Sequence, residues 1–154
     1  MAHQVEHHDP AQLERFLRGI ASAFYDTALS RAFISEIDDL QPPYPNPGFN
    51  VDRIYRHVAQ GITEGAQHGA ELVEAGDYSA LAVWETTAYK GIPFAETMVN
   101  VGPVREEWRE HVNRMKKTYV GTIEVNGKKE FRPFYHLGFL VRNPDVSSVK
   151  GAIG

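Results

Sequence analysis

Apolar residues recur at helical spacing through the first part of the chain and predict three helices. Asp9-Pro10 is typical of a helix start, with Asp9 as the N-cap and Pro10 at the first helical position. A second helix is expected over about 28–37, and Asn50 caps a third over about 51–68. The buried stripe of the first helix is Leu13, Phe16, Leu17, Ile20 and Phe24, and that of the third is Val51, Ile54, Val58 and Ile62.

Short apolar runs elsewhere predict strands. Residues 71–74 and 78–85 favour a hairpin turned by Ala75-Gly76-Asp77. Alternation in its second strand places Leu81, Val83 and Glu85 on one face. A final strand is expected over about 134–142, and residues 2–7 could form a short first one. Asn126-Gly127 is compatible with either a hairpin or a loop over 120–131, and the pattern does not decide between them.

Three further segments complete the prediction. Four prolines exclude helix and central strand from residues 38–50, which form either a stiff surface connection or a wall of a substrate site. Residues 86–97 are expected to be a connection. Pro103 is expected to open a helix that continues to about Tyr119, with Val104, Trp108, Val112 and Met115 as its buried stripe.

Composition limits the class of protein. The chain has 154 residues, 42% hydrophobic and 23% charged, which is ordinary for one soluble α+β domain. A net charge of −4 gives no electrostatic reason to expect nucleic acid or an anionic membrane as partner, and local basic clusters at 114–117 and 128–132 are expected to be solvated surface. Without cysteine, disulfides and thiolate chemistry are excluded. No apolar run is long enough for a membrane span or a signal peptide, so we expect the cytoplasm.

The end of the sequence contains its strongest functional signal. The predicted final strand runs into an Asn143-Pro144-Asp145 turn and then into a small-residue segment, 146–154, at an expected helix start. Backbone N–H groups gathered at such a place, together with the partial positive charge of a helix start, bind anions such as a pyrophosphate. The sequence therefore predicts an anion site at this end of the strand.

These residues resemble the acetyl-CoA-binding signature of the GNAT-type N-acetyltransferases, in which a strand and an Asp-Pro turn lead to a glycine loop. The run from Ala70 to Glu85 is similar to that family's β2–β3 hairpin, particularly in fungal and actinobacterial members, and the helix containing 21–26 also fits. Ser148 stands where the family prefers Gln or Arg, and Gly151 lies about one residue later than its usual spacing. The resemblance implies an α+β fold, a mostly antiparallel sheet with helices on both faces.

The resemblance also implies a function, the transfer of an acetyl group from acetyl-CoA to a small amine. In the strand, Leu140, Val141 and Arg142 match positions that bind the donor and polarise its thioester. The donor's pyrophosphate would meet the loop Ser148, Val149, Lys150, Gly151, Ala152, Ile153 and Gly154. His136 is a candidate base, because imidazole exchanges protons near neutral pH, and regular alternation puts it on the face of Leu140 and Arg142. Glu85 is the other candidate base, and no metal ligand set is expected.

The resemblance covers the front part of a longer domain, so residues 1–154 are interpreted as a single domain that ends at the pyrophosphate loop, without the family's C-terminal helix and strands. No residue matches the family's general acid. A non-catalytic relative that binds a ligand or partner is therefore the alternative to an enzyme, and an inactive fragment is a third interpretation. An unpaired final strand predicts a homodimer or a complex with a complementary chain.

Overall fold

In a computed structural model, the chain is described for residues 1–25, 27–40, 50–85, 106–107, 110–111, 114–132 and 134–147. The strands are β1 (Ala2–Gln4), β2 (Glu71–Ala75), β3 (Ala80–Glu85), β4 (Thr122–Val125), β5 (Lys128–Phe131) and β6 (His136–Arg142), and the helices are α1 (Pro10–Phe24), α2 (Ala28–Ile37) and α3 (Val51–Gln67). Four strands form an antiparallel sheet in the order β1-β2-β3-β6, and β4 and β5 form a separate hairpin. The α+β class and the antiparallel sheet are therefore confirmed.

Side chains cap α1, α2 and α3 at their first turns. The Asp9 carboxylate accepts hydrogen bonds from the N–H groups of Ala11 and Gln12, at 2.9 and 3.3 Å. Thr27 caps α2, and the Asn50 side chain accepts from the N–H of Arg53 at 2.8 Å to cap α3. These bonds satisfy donors that have no partner within the helix, so the predicted starts of α1 and α3 are confirmed.

One core lies between the helices and one face of the sheet. The helices contribute the predicted apolar stripes, and the sheet contributes the residues that alternate toward them. The most deeply buried members are Phe16, Ile20, Ile34, Ile54, Ile62, Leu72 and Leu81. Helix α1 contacts α3, β3 and β6. Helices on both faces of the sheet stay a prediction, because the described helices supply their buried residues to this single core.

The β2–β3 turn has a strained backbone that α1 supports. Gly76, Asp77 and Tyr78 have φ values of 62°, 53° and 66°, and the last two are unusual for residues with a side chain. The guanidinium of Arg15, on α1, lies 4.2 Å from the centre of the Tyr78 ring and 2.8 Å from the carboxylate of Asp77. Helix α1 therefore holds the turn from outside the hairpin.

A β-bulge interrupts the pairing of β3 with β6. Leu137 lies opposite Trp84, whereas Phe139 lies opposite the preceding residue, Val83, so that Gly138 is the additional residue. The bulge shifts the alternation of β6 by one position. The expectation that His136 shares a face with Leu140 and Arg142 is therefore wrong: His136 lies opposite Glu85, on the face of Phe139.

The segment before β6 settles one open alternative and corrects one prediction. Residues 106–107, 110–111 and 114–115 are helical and a π-helical turn follows at Lys116–Val120. Met115 is 45% exposed, so its place in a buried stripe is wrong, while Val104, Trp108 and Val112 lie outside the described residues. The undecided stretch over 120–131 is a hairpin, β4–β5, and Lys128, Lys129 and Arg132 are exposed on it.

Two other expectations fall wholly or partly outside the described residues. Residues 41–49 of the proline-rich segment and the connection at 86–97 lie outside the described residues. Within the described ranges, each helix is too short or too polar to cross a membrane.

Candidate functional site

Glu85 and His136 meet at one end of the sheet. Glu85 is the last residue of β3, and His136 is the first residue of β6 and its direct partner across the ladder. The Nδ1 atom of His136 lies 2.7 Å from Oε2 of Glu85, which is within hydrogen-bond distance. The carboxylate side chain is only 8% exposed, and the imidazole is 32% exposed. The two residues that the sequence offered as alternative bases therefore form one pair.

The pair has the geometry of an oriented base. With its Nδ1–H donated to the carboxylate, the imidazole keeps its lone pair on Nε2, where it can accept a proton. The buried carboxylate fixes the ring and stabilises the imidazolium that forms after proton transfer. This arrangement makes His136 the group that can exchange a proton, and Glu85 the group that holds the His136 ring in position.

Local sequence explains how the pair is built. Because side chains alternate along β3, Leu81 and Val83 point into the core. Glu85 lies on the same face as these two residues and is the last residue of the strand. The bulge at Gly138 then turns His136 to that face. The sequence held a weak signal for this feature, since a glycine inside a strand often marks a bulge. A Cβ at Gly138 would meet the Val83 carbonyl at an ordinary 3.6 Å, so sterics alone do not require glycine there.

The core beside the pair is aromatic. Phe139 lies on the same face as His136 and packs edge-to-face against Phe24, at the end of α1, with ring centres 5.4 Å apart. Both rings are partly buried against the hydrophobic core. They anchor β6 to α1 just past the bulge, and so hold the strand that carries His136.

The predicted donor-binding residues of β6 lie at its other end. Leu140 is 55% exposed and Arg142 is exposed, whereas the Val141 side chain is buried in the core. At about 3.3 Å per residue, His136 and Arg142 are separated by about 20 Å along the strand. The strand thus has the His136 imidazole at one end and the Arg142 guanidinium at the other, and these two side chains lie on opposite faces of the sheet. The predicted loop from Ser148 to Gly154 lies outside the described residues.

Asn143 immediately after β6 is a residue whose role the sequence analysis missed. Its side chain is buried, and its Oδ1 accepts the N–H of Asp145 at 3.0 Å. Its own N–H donates to the carbonyl of Ser79 at 2.9 Å and prolongs the pairing with the β3 side of the sheet. The Asn-Pro-Asp sequence is a known turn signal, and it could have identified Asn143 as the residue that closes the turn.

A separate groove between α1 and α3 has a volume of about 510 Å³. Its floor includes Leu13, Leu17 and Ala59. Two carboxylates, Glu14 and Glu64, line it, and Glu64 accepts a hydrogen bond from the Gln60 side chain. Glu14 accepts hydrogen bonds from the Tyr55 hydroxyl and from Arg18, and these two bonds, the first more than the second, lower the pKa of its carboxyl. The same hydrogen bond to Glu14 raises the pKa of Tyr55. Because these groups already satisfy each other, the groove offers a weaker site than the Glu85–His136 pair.

In the described part of the chain, no three His, Asp or Glu side chains are grouped so that they could hold a metal ion. The His7 and His8 rings lie against each other with their centres 3.8 Å apart. No protein-family model matches the sequence, and neither does any curated protein. The function is therefore argued from the site itself, which defines the chain as an α+β domain with a buried carboxylate–histidine pair.

Proposed function

We propose that the chain is an acyl-CoA-dependent N-acyltransferase of the GNAT type, with acetyl-CoA as donor and a small amine as acceptor. The observation that carries the proposal is the Glu85–His136 pair, with Nδ1 and Oε2 2.7 Å apart. A primary amine is mostly protonated at neutral pH and must lose a proton before it can attack an acyl carbon. An imidazole held by a buried carboxylate supplies an acceptor for that proton.

The residues then have distinct roles in the reaction. His136 takes a proton from the amine through Nε2, and Glu85 acts through His136 as a positioning residue. The donor supplies an acyl group activated as a thioester, and the new C–N bond replaces the C–S bond. The nitrogen loses its second proton to solvent as the amide forms, and the thiolate released takes a proton from solvent. The backbone of β6 is the proposed source of an N–H that polarises the acyl carbonyl.

The other end of β6 fits an anionic donor. The exposed Arg142 side chain and the Asn143 turn are the last described features before Ser148 to Gly154, the proposed pyrophosphate contacts. A guanidinium is well suited to phosphate oxygens, and backbone N–H groups at a helix start add to it. Small amines and acyl-CoA meet in the cytoplasm, where we expect the protein to act.

Acetyl-CoA binding is the first test of this function. Titration calorimetry on the 154-residue chain should give a saturable Kd, and Gly151→Glu should abolish binding by placing a carboxylate among the pyrophosphate contacts. Screening primary amines for release of free CoA thiol should then identify an acceptor. Failure to bind at millimolar acetyl-CoA, with the chain folded by circular dichroism, would reject the proposed function.

A non-catalytic binding protein is the second candidate, and the position of β6 favours it. Among the described strands β6 lies at an edge of the sheet, and Leu140 on it is 55% exposed. An exposed edge strand pairs readily with another chain. Two results together would support this candidate over the enzyme. Acetyl-CoA would bind without release of CoA thiol in the presence of any amine tested, and the chain would form a dimer or capture a partner strand.

A further inference from the structure

The β4–β5 hairpin stands apart from the core. Among the described elements, β4 and β5 pack extensively only on each other. Residues 122–124 of β4 and 128–130 of β5 are exposed, so side chains on both faces of the hairpin reach water. A hairpin of two strands is marginally stable unless another surface packs on one of its faces. This hairpin is therefore suited to docking on a partner.

One face of the hairpin combines apolar groups with a cation. Ile123 lies opposite Glu130 and Val125 lies opposite Lys128, so these four side chains share a face. Ile123 is 37% exposed, and Lys128 is exposed beside the turn, at the tip of the hairpin. Lys129 is the next residue along β5 and belongs to the opposite face. The face with Lys128 thus offers two β-branched apolar side chains and a cationic tip.

The groove between α1 and α3 is complementary to that face. Its floor is apolar, with Leu13, Leu17 and Ala59, and the described residues that line it include no Lys, Arg or His. Glu64 lies in the last turn of α3, where the helix dipole favours a cation but no basic residue is present. The hydrogen bond that Glu64 accepts from the Gln60 amide, at 2.9 Å, brings no positive charge. A cation from a partner would satisfy both the carboxylate and the helix end.

The charge distribution favours a second copy of this chain as the partner. Residues 114–132 contain six Lys or Arg and two Asp or Glu, a net charge of +4. Because the whole chain has a net charge of −4, the remaining residues carry −8. A nucleic acid or an anionic membrane drawn to the hairpin would be repelled by the rest of the chain. A second copy instead offers an acidic surface to the basic hairpin.

The hairpin and the groove lie at different ends of α1 within one chain. The groove borders the first half of α1, including Leu13. The hairpin leads into β6, and Phe139 of that strand contacts Phe24 at the last turn of α1. At 1.5 Å per residue, Phe24 is about 17 Å from Leu13 along the helix. Lys128 and Glu64 are both exposed, so each is accessible to another molecule.

We propose that the β4–β5 hairpin of one copy docks into the α1–α3 groove of a second copy. Ile123 and Val125 pack on the apolar floor, and Lys128 pairs with Glu64. Made in both directions, this contact gives a two-fold dimer. A groove of about 510 Å³ supports only a small interface, so we expect a Kd on the order of 100 µM. The contact is distinct from pairing of the β6 edge, and it does not rest on the proposed function.

Charge reversal on each side of the contact tests the proposal. Sedimentation equilibrium of the Leu140→Lys chain isolates this contact, because that substitution opposes edge pairing. In this background, Lys128→Glu and Glu64→Lys should each raise the dimer Kd about tenfold or more, since both place like charges together. Lys129→Glu is the matched control: it makes the same charge change on the opposite face of the hairpin, and its Kd should stay within about threefold.

An equimolar mixture of the two reversed chains gives the sharpest result. The Lys128→Glu hairpin then meets the Glu64→Lys groove, and the unchanged hairpin meets the unchanged groove. The mixture should therefore associate about tenfold more tightly than either variant alone. A mixture that associates no more tightly than its components would overturn the inference.

Two other outcomes would also reject it. The first is a Leu140→Lys chain that stays monomeric at about 1 mM, a concentration above the expected Kd. The second is equal weakening by Lys128→Glu and Lys129→Glu, which would indicate attraction between net charges without an oriented contact. Acetyl-CoA enters none of these measurements, so failure here leaves the proposed function standing.

Discussion

Replacing Glu85 by glutamine tests the central element of the site, because it removes a charge while keeping nearly the same shape. The carboxylate is 8% exposed and its Oε2 lies 2.7 Å from His136 Nδ1, so the bond is short and poorly screened by water. A hydrogen bond to a charged group contributes about 1.5–3 kcal/mol. If the variant loses that stabilisation when the imidazolium forms, kcat should fall about 10- to 160-fold.

The assay measures initial rates of CoA thiol release with the amine found by screening, over a range of acetyl-CoA concentrations. The KM for acetyl-CoA should change little, because the pair lies at the end of β6 remote from Arg142 and acts on the proton of the amine. Glu71→Gln is the matched control: Glu71 is exposed on β2, and its replacement should leave kcat unchanged. His136→Ala should lower kcat at least as much as Glu85→Gln does.

One result would refute this reasoning. If Glu85→Gln retains kcat within about twofold of wild type while His136→Ala is inactive, the carboxylate does not support the base, and the pair is a packing contact. Melting temperatures of both variants must be recorded, since a fall in kcat that follows unfolding at the assay temperature says nothing of the chemistry.

Three further predictions concern stability and assembly. Ile20→Ala, at a fully buried position, should reduce the free energy of unfolding by about 2–5 kcal/mol in urea denaturation, and a loss under about 1 kcal/mol would contradict the core assignment. The pKa of Asp9 is lowered from its ordinary 3.8, first by the backbone N–H of Gln12. Its cap therefore stabilises the fold fully above pH about 4 and loses this effect as the pH falls through the lowered pKa, so Asp9→Asn should flatten the dependence of melting temperature on pH between about 2 and 4. Light scattering at micromolar concentration should give a dimer mass that Leu140→Lys reduces to the monomer, since a charge on the edge strand opposes pairing; a wild-type monomer would refute the edge-pairing model.

Elements with local determinants could be predicted from the sequence. Asp9-Pro10 and Asn50 locate helix starts because capping depends on a side chain and the N–H groups two or three residues further on. The stripe of α3 was readable because Ile54, Val58 and Ile62 repeat at helical spacing, and all three are buried. Met115 shows the limit of the same reasoning: its spacing is helical, but the side chain is 45% exposed, since the burial of a stripe depends on what packs against it.

The candidate site could be predicted as two residues but not as a pair. Alternation correctly gives the face of Glu85, because β3 is regular over Leu81 and Val83. The same rule fails in β6, where the pairing shifts by one residue at Gly138 and reverses the face of every residue before it. The shift arises from the register between two strands that are 51 positions apart at Glu85 and His136, and periodicity within one strand carries no information on it.

The bulge therefore links the fold to the chemistry that we propose. A regular β6 would place His136 on the face of Arg142, away from Glu85, and the hydrogen bond between the two residues could not form. With the bulge, each residue satisfies the other, and the imidazole remains one-third exposed. A contact needed only for stability would be better served by two apolar side chains, whereas a buried carboxylate that holds a partly exposed histidine is suited to moving a proton. The bulge, the buried charge and the partly exposed imidazole form one arrangement, which packing alone does not explain.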